Sequence, residues 1–323
     1  MGNYAGNFDI NDINWLAGIV DSDGSINLSK NNTKRGVNLQ PKIQIFNSNE
    51  RIIDNAHSIL KHFGINHHIY TSKRENGARN YRKLSHQLSV RRLGKVVELS
   101  DILTGSLVGK RNQLITLTEF CRYRLDKILT YGKKCNLDDF SLRFTSIVND
   151  FNIKCNLKDY GFRNESLEWL AGFTDGDGCI TIKRTKRSDG NFRYRPYISF
   201  TTTNLSTLNN ITSILDSNNI KYCIRERAKG KKYSRNRHYT CYEVEVCNLY
   251  DCYNLSYLLK SRVNGKITEC CILYTFCKSR IGKNTRPYSN YSVKLYDIIV
   301  KEKSKYNIKG SSTTIRKESS IED

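Results

Sequence analysis

Two stretches of the chain are near-copies of each other: WLAGIVDSDGSI at residues 15–26 and WLAGFTDGDGCI at residues 169–180. They contain the only two tryptophans of the sequence. The surrounding sequence repeats as well, since LVGKRNQLITLTEFC at 107–121 matches VNGKITECCILYTFC at 263–277. Because the separation between the copies is almost constant over more than a hundred residues, a whole domain has been duplicated.

The pattern of apolar residues in each copy predicts the element order α-β-β-α-β-β-α. The repeated stretch begins as a helix that should end at Gly24 in the first copy and at Gly178 in the second, because glycine is common just past a helix C-terminus. Alternation of apolar and polar residues then predicts strands, as in SINLS at 25–29 and YEVEV at 242–246. We therefore expect an α+β fold of two tandem αββαββα domains, each with an antiparallel sheet.

The extent of the repeat sets the expected domain boundaries. Residues 1–130 should form the N-terminal domain and residues 166–282 the C-terminal domain, with a linker of some helical character at 131–165. The apolar pattern fades after that. Residues 283–323 are therefore expected to be a basic and polar tail that is partly disordered.

The chain carries a large excess of positive charge. Its 323 residues include 53 Lys and Arg against 31 Asp and Glu, which gives a formal net charge of +22. Such an excess favours a polyanionic partner, most simply a nucleic acid. A membrane surface is the rival interpretation, but no stretch resembles a membrane span or a dominant basic amphipathic helix. No signal peptide is visible at the N-terminus.

Cysteine usage and composition indicate the compartment. The 11 cysteines contain no C-x-x-C pair, so neither a metal cluster nor a disulfide framework is indicated, and a reducing compartment is expected. The chain is rich in Lys, Asn, Ile and Tyr, a usage typical of AT-rich genomes. We therefore expect a soluble protein of an organelle, either a mitochondrion or a chloroplast.

Small residues in each repeated stretch predict a close contact between helices. Gly18 and Ser22 in the first copy, and Gly172 and Gly176 in the second, lie one turn apart on one face of their helix. Small residues let two helix backbones approach closely. The two helices should therefore pack side by side about a pseudo-twofold axis.

The acidic residues that end both helices predict a metal site. A carboxylate at a helix C-terminus lies at the negative end of the helix dipole, and side-by-side packing would bring Asp23 and Asp177 together. Like charges so placed favour a bound cation, and oxygen ligands favour Mg²⁺ or a similar hard ion. A single Asp-x-Asp-Gly could be only a helix stop and turn. An EF-hand fits less well, since the loop lacks the other oxygen ligands and the closing Glu.

The two stretches resemble the nine-residue LAGLIDADG motif of homing endonucleases, here LAGIVDSDG and LAGFTDGDG. The resemblance covers most of residues 8–282 and is to the single-chain, two-motif branch of that family. It implies that Asp23 and Asp177 are metal-binding catalytic acids. It also implies that the backbone carbonyls of Ser22 and Gly176 bind the metal.

Further roles are implied by the same resemblance. Asp21 and Asp175 are expected to serve mainly the structure of the helix ends. The candidates for basic groups near the scissile phosphates are Lys110 and Lys266, which the repeat pairs with each other. The candidates for water positioning are Asn47 and Thr202, although Thr202 departs from the longer amide side chain often found there.

The activity implied by the resemblance is a metal-dependent double-strand break in a long asymmetric DNA target. One acid in each half corresponds to one strand cut by each half, with short 3′ overhangs and promotion of intron mobility. The implied cofactor is Mg²⁺ or Mn²⁺, with Ca²⁺ binding without supporting cleavage. The implied partner is double-stranded DNA, bound on a saddle-shaped surface that the two sheets form. The protein is implied to act as a monomer and not to associate with a membrane.

The polar face of each sheet is the expected DNA platform. Alternation directs apolar residues such as Ile180 and Ile182 to the core and their neighbours outward, and β-ribbons fit the major groove, where polar side chains distinguish bases. In the N-terminal copy the outward residues are Asn27, Ser29, Asn31, Lys42, Gln44 and Tyr70. In the C-terminal copy they are Thr181, Lys183, Thr185, Arg187, Tyr197, Ser199, Thr201, Arg225 and Arg227. A merely solvated strand face is the alternative, and the unlike sets predict an asymmetric target.

Three rival functions remain open. An RNA-splicing cofactor, or maturase, acting on intron RNA would keep the fold and the charge without needing both acids. A DNA-binding regulator without cleavage would also be expected to lose Asp23 or Asp177. A general nuclease would leave two elaborate polar sheet faces without a purpose. Because both acids are present, the sequence favours the endonuclease.

Overall fold

The computed structural model describes residues 10–33, 36–76, 81–131, 162–227, 240–281 and 290–304. The N-terminal half consists of α1 (Ile10–Asp23), β1 (Gly24–Thr33), β2 (Gly36–Asn47), α2 (Glu50–His62), β3 (His68–Asn76), β4 (Tyr81–Val90), α3 (Leu93–Leu103) and α4 (Arg111–Tyr131). The C-terminal half repeats this order with α5 (Leu167–Asp177), β5 (Gly178–Lys186), β6 (Phe192–Thr202), α6 (Leu205–Ser217), β7 (Cys223–Arg227), β8 (Cys241–Val246), α7 (Leu249–Leu259) and α8 (Ile267–Arg280). A further helix, α9 (Asn290–Ser304), follows.

Each half contains one four-stranded antiparallel sheet, with strand order β1-β2-β4-β3 in the first and β5-β6-β8-β7 in the second. The register places apolar residues opposite each other, so that Ile26 pairs with Ile43 and Ile180 with Ile198. All four belong to the buried core, so one face of each sheet is closed and the other is open. The predicted α+β fold with two tandem repeats is confirmed, and each half closes with two helices.

The structure describes only parts of the predicted linker and of the predicted tail. Most of the predicted linker at 131–165 lies outside the described residues. In the predicted tail at 283–323, the apolar pattern does not predict α9, yet Leu295 and Ile299 of this helix are buried. The helix packs against α8, β5 and β6, so part of the polar tail belongs to the folded C-terminal half.

Local sequence explains where the motif helices begin and end. Ser166 caps α5 by accepting a hydrogen bond from the Trp169 amide at 3.0 Å, as is common for serine at this position. Gly24 and Gly178 follow the helices, as predicted, but Gly178 has an extended backbone (φ −76°, ψ 150°) instead of a left-handed one. Glycine is needed there because a Cβ would lie 2.6 Å from the Thr174 Cα.

The two motif helices touch backbone to backbone. A Cβ on Gly18 would lie 2.7 Å from the Phe173 amide nitrogen, and a Cβ on Gly172 would lie 3.1 Å from the Ile19 amide nitrogen. These contacts are related by the repeat, as a pseudo-twofold axis requires. The close helix contact predicted from the small residues is therefore confirmed.

Replacing Gly172 with Ala should lower the free energy of unfolding by about 2 kcal/mol or more, because the added methyl group overpacks the helix contact. Urea unfolding followed by circular dichroism would measure the change. Gly94→Ala is the matched control, since Gly94 lies in α3 and a Cβ there would meet nothing within 4 Å. Alanine at that position should be neutral or stabilising. Equal stabilities of the two variants would contradict the close contact.

The described cysteines do not pair with one another. All cysteines in the described ranges are free thiols, and Cys270 and Cys277 of α8 are buried in the apolar core. Within the same ranges, no helix is both long enough and apolar enough to cross a membrane.

Candidate active site and nucleic-acid interface

Each tryptophan reaches across the junction between the two halves. The Trp15 indole nitrogen donates to Asp175 Oδ2 and the Trp169 indole nitrogen donates to Asp21 Oδ2, each at 3.0 Å. Both rings and both carboxyl groups are buried. Each twelve-residue stretch thus supplies one donor and one acceptor to the other copy, which explains why both contain a tryptophan.

The same two acids also hold a segment of their own half. Asp21 accepts two backbone N–H bonds at 2.8 Å from the segment before α4, and Asp175 accepts three at 2.7–2.9 Å from the segment before α8. Burial raises the pKa of both carboxyl groups, and these donors lower it. The two acids therefore fix the segments that carry Lys110 and Lys266. This agrees with the structural role that the family resemblance implies.

Two lysines cap the C-termini of the motif helices. The Lys266 ammonium group donates to the carbonyl oxygens of Thr174, Gly176 and Gly178 at 2.6, 3.0 and 2.7 Å. Lys110 makes the three corresponding contacts at the end of α1 and a fourth to the Asp21 carbonyl oxygen, at 2.7–3.1 Å. A cation is favoured at this end of a helix, where the carbonyl groups otherwise lack donors. Burial lowers the pKa of Lys266, as expected for an ammonium group removed from water.

These contacts differ from the predicted place of the lysines beside a scissile phosphate. Lys110 lies 3.1 Å from the Ser22 carbonyl oxygen, and Lys266 lies 3.0 Å from that of Gly176. These are the two carbonyls implied to bind a metal, so each lysine positions a candidate ligand. A direct contact of either lysine with a phosphate stays a prediction.

Asp23 ends α1 at the junction of the halves, and Asn47 orients its carboxyl group. The Asn47 amide donates to Asp23 Oδ2 at 2.6 Å, while its oxygen accepts from the Asn49 amide nitrogen at 2.7 Å. Burial and then the charge of Asp177 raise the pKa of Asp23 to about 6, against the opposing effects of Lys266 and Asn47. The fold therefore brings the two predicted acids close enough to repel each other.

The second acid has different surroundings. Asp177 at the end of α5 is exposed, whereas Asp23 is half-buried. Thr202, at the position in β6 that corresponds to Asn47, accepts a hydrogen bond from the Asn204 amide nitrogen at 3.1 Å. A threonine side chain is shorter than that of asparagine. The two halves thus present their acids in unequal settings.

A cavity of about 550 Å³ lies beside Asp23. Both halves line it, with Asp23 and Asn47 from the first and Gly176 and Lys266 from the second. Its charged lining residues are Asp23, Asp175, Lys266, Glu269 and Lys303. This cavity is the candidate active site for one strand.

The oxygen atoms near Asp23 are suitable ligands for a hard divalent cation. Two carboxyl groups repel each other across the junction, and the neighbouring carbonyls of Ser22 and Gly176 also offer oxygen. Among the described residues, no cluster of three or more His, Cys, Asp or Glu side chains could hold a metal. Mg²⁺ is commonly bound by one or two carboxylates, with water or substrate oxygens as its other ligands, and the oxygen ligands near Asp23 fit that pattern.

On the open face of the N-terminal sheet, several predicted contact residues join one polar cluster. Gln44 and Arg91 both donate to Ser89 Oγ, at 3.4 and 2.8 Å, and the Arg91 guanidinium lies 5.0 Å from the centre of the Tyr70 ring. Burial and then Arg91 lower the pKa of Lys42. Gln44 is only 8% exposed, because these neighbours cover it, which corrects the prediction that it is presented freely.

The edge strand β1 of this sheet also carries polar side chains. Asn27 donates to Ser25 Oγ at 3.0 Å, and Ser29 donates to the Gln40 carbonyl at 3.2 Å. Within the described part of the chain, the Oδ1 of Asn27 is buried and has no hydrogen-bond partner. Asn31 lies in β1, but its side chain falls outside the described residues.

Tyr197 and Ser199 also need a correction. They lie on the open face of the C-terminal sheet but are only 5% and 3% exposed. The Tyr197 hydroxyl lies 3.0 Å from a Glu243 carboxylate oxygen and 2.7 Å from one of Glu245, and the Lys183 ammonium lies 3.0 Å from the ring centre. Burial, together with these carboxylates, raises the pKa of Tyr197. A base could not reach either side chain without displacing these neighbours.

The other predicted residues of this sheet are more accessible. Arg225 on the edge strand β7 pairs with Glu245 at 2.9 Å while its side chain stays 64% exposed. Arg187 lies just past β5 in a turn, 3.9 Å from Asp189. The side chain of Arg227 lies outside the described residues. The remaining residues are half-exposed or exposed: Thr181, Lys183, Thr185 and Thr201.

Prediction from the sequence missed polar residues of the last strand of each sheet. Arg91 follows β4, and Glu243 and Glu245 lie in β8, all on or beside the open faces. For the two glutamates the sequence carried a signal, because polar and apolar residues alternate in YEVEV (242–246) as strictly as in the other strands. Applying the same alternation to the last strand would have found the two glutamates.

Two sequence profiles match the chain, one in each half. The profile described as a LAGLIDADG-like domain matches residues 11–99, and the profile described as a LAGLIDADG endonuclease matches residues 170–262. The chain belongs to the LAGLIDADG family. Since the matches coincide with the two halves of the structure, the LAGLIDADG architecture occurs twice in one polypeptide.

Solved LAGLIDADG structures share this fold. Similar to this chain are the meganuclease I-SmaMI bound to uncleavable DNA with a TTCT central four (14% identity, TM-score 0.63, 89% of this chain and 98% of that one) and I-LtrWI bound to target DNA (15%, 0.61, 92% and 98%). I-SmaMI bound to cleaved DNA is also similar (14%, 0.60, 93% and 97%). At these identities the likeness shows the fold alone. No curated protein sequence matches the chain.

Proposed function

We propose that this chain is a site-specific homing endonuclease that makes a double-strand break with short 3′ overhangs in a long asymmetric DNA target, and so promotes intron mobility. The observation that carries the proposal is the meeting of Asp23 and Asp177 at the ends of two packed motif helices. One acid from each half matches one cut in each strand. Similar folds bound to target DNA and to cleaved DNA support the proposal. We infer a functional monomer that acts in an organelle.

The residues of the site would have different roles in phosphodiester hydrolysis. Asp23 and Asp177 would hold Mg²⁺ or Mn²⁺, with the carbonyls of Ser22 and Gly176 as further ligands; Ca²⁺ would bind there without supporting cleavage. A bound divalent ion supplies water activation and stabilisation of charge on the phosphate and the leaving oxygen. Asn47 orients the Asp23 carboxylate through the hydrogen bond at 2.6 Å.

The open sheet faces would read the DNA sequence unequally. The N-terminal face presents Tyr70 and Arg91, whereas the C-terminal face combines Arg225 with the acidic Glu245. The Arg225–Glu245 ion pair restricts the guanidinium group and would present it to a guanine edge. Unlike faces favour an asymmetric target.

A cleavage selection tests the proposal. Purified protein would be incubated with a randomised duplex library in Mg²⁺ and, separately, in EDTA, and the new DNA ends would be sequenced. We expect breaks in Mg²⁺ alone, at one long asymmetric sequence with short 3′ overhangs. Tight nucleic-acid binding without specific ends would contradict the endonuclease, and intron RNA would then be the next substrate to test.

Cleavage at low Mg²⁺ should fall as the pH drops through about 6. Asp23 must be ionised to bind a cation, and its pKa is raised to about 6, so protons compete with the metal below that pH. Single-turnover rates should fall about tenfold per pH unit between pH 6 and 5. Higher Mg²⁺ should move the midpoint to lower pH. A midpoint near the ordinary aspartate pKa at low Mg²⁺ would count against this role of Asp23.

A further inference from the structure

The C-terminal helix α9 connects the tail of the chain to the candidate active site. Leu295 and Ile299 anchor the helix, with 8% and 0% of their surfaces exposed. The Tyr296 ring meets the Tyr194 ring edge-on at a centroid distance of 5.4 Å, and the Arg184 guanidinium lies 5.2 Å from the centre of the Tyr296 ring. These contacts fix the middle of α9 relative to β5 and β6, and the last turn follows within the same helix.

The last turn of α9 places Lys303 in the cavity that holds Asp23. The Lys303 ammonium group lies 3.5 Å from the Cys179 thiol. Cys179 directly follows the glycine that ends the second motif. A thiol is a weak acceptor, so this contact positions the ammonium group without satisfying its three donors.

The charges of the cavity make Lys303 the cation suited to an incoming anion. The lining contains three carboxyl groups, of Asp23, Asp175 and Glu269, and two ammonium groups. Lys266 already donates to three backbone carbonyls, and Asp175 already accepts three backbone N–H bonds and one indole N–H bond. A phosphate entering beside Asp23 would meet net negative charge unless cations offset it.

We propose that Lys303 binds the phosphate of the strand that is cut in the cavity of Asp23. This inference rests on the proposed endonuclease function. The ammonium group would donate to a non-bridging phosphate oxygen and offset the negative charge that develops there during hydrolysis. It transfers no proton. Since Lys303 lies in the cavity of Asp23, the cut made there should depend on it more than the cut made beside Asp177.

Cleavage of the two strands, followed separately, tests this role. A duplex carrying the selected target would be labelled on one strand or the other and cut under single-turnover conditions in Mg²⁺. With Lys303→Ala, we expect one strand to be cut about ten- to hundredfold more slowly, so that nicked DNA accumulates. Lys303→Arg should restore the rate to within about threefold, because it keeps a cationic donor.

Lys301→Ala is the matched control. Lys301 lies in the same helical turn, is exposed and does not line the cavity. It should cut both strands at the wild-type rate. Melting temperatures of all variants should agree, because the apolar contacts of α9 do not involve either lysine.

Binding gives a second measurement that needs no cleavage. Binding in Ca²⁺ would be measured at several salt concentrations, and the logarithm of target affinity plotted against the logarithm of salt concentration. With Lys303→Ala the slope of this plot should become shallower by about 0.9, the value for one phosphate contact. Equal rates on both strands, or equal slowing of both strands with a lowered melting temperature, would overturn the role of Lys303. Wild-type protein that cuts neither strand would instead overturn the proposed function.

Discussion

Asp23→Asn and Asp177→Asn should each abolish double-strand cleavage while leaving target affinity within a few-fold of the wild type. The amide keeps the shape of the carboxylate but lacks the charge that a divalent cation requires. Loss of at least about a thousandfold in the single-turnover rate is expected, which corresponds to about 4 kcal/mol of transition-state stabilisation. Relaxation of a supercoiled plasmid that carries the target would measure nicking and linearisation together.

Stability should not explain the loss in these variants. The pKa of Asp23 is raised on folding, so its ionised form is disfavoured in the folded state, and the charge is a cost at pH values above about 6. Removing that charge should leave the melting temperature at pH 7.5 unchanged or slightly higher. Asp54→Asn, at an exposed position of α2, makes the same chemical change as a control. Wild-type cleavage by either motif variant would remove the metal assignment.

Lys266→Met should impair both the fold and the reaction. Methionine fills a similar volume but removes the ammonium donor from three carbonyl oxygens at the end of α5, of which that of Thr174 keeps a backbone donor, the Gly178 amide. Unpaired buried acceptors cost about 1–3 kcal/mol each, so a loss of about 3 kcal/mol in the free energy of unfolding is expected. We expect cleavage at a temperature below unfolding to slow by about a hundredfold, because the end of the motif helix and Asp177 are no longer held.

The pH profile separates this role of Lys266 from a role at the phosphate. The charge of Lys266 lowers the pKa of Asp23, so Lys266→Met should move the midpoint of cleavage to higher pH. Lys61→Met, at an exposed position of α2, controls for the loss of one positive charge. Slower cleavage with unchanged stability and an unchanged midpoint would favour direct contact with the phosphate, as the family resemblance implies.

The repeat made most of the architecture predictable. Matching segments of the two copies had to adopt the same structure, and alternation along single strands was enough to assign residues such as Ile180 to the core. Gly18 with Ser22, and Gly172 with Gly176, signalled the helix contact because little except close packing requires two small residues one turn apart. These features depend on local sequence and on steric rules that hold in any context.

Contacts between the copies and contacts among side chains were less predictable. The bonds from Trp15 to Asp175 and from Trp169 to Asp21 depend on the rotation of each helix against the other, which no single stretch encodes. Tyr197 faces the open side as alternation requires, yet neighbours on another strand bury it. Lys266 could have pointed to solvent, but the unpaired carbonyls at a helix end compete for its donors. The position of Lys303 in the cavity could not be predicted from the sequence, because it depends on how α9 packs against the C-terminal half.

The crossed tryptophan–aspartate bonds have a consequence for how such a protein can diverge. Each half carries both the indole donor and the carboxylate acceptor of these bonds within a twelve-residue stretch. All four residues lie on helices α1 and α5, so substitutions on the open sheet faces leave these bonds intact. New target preferences can therefore arise on the sheet of one half while the crossed bonds and the other half stay unchanged.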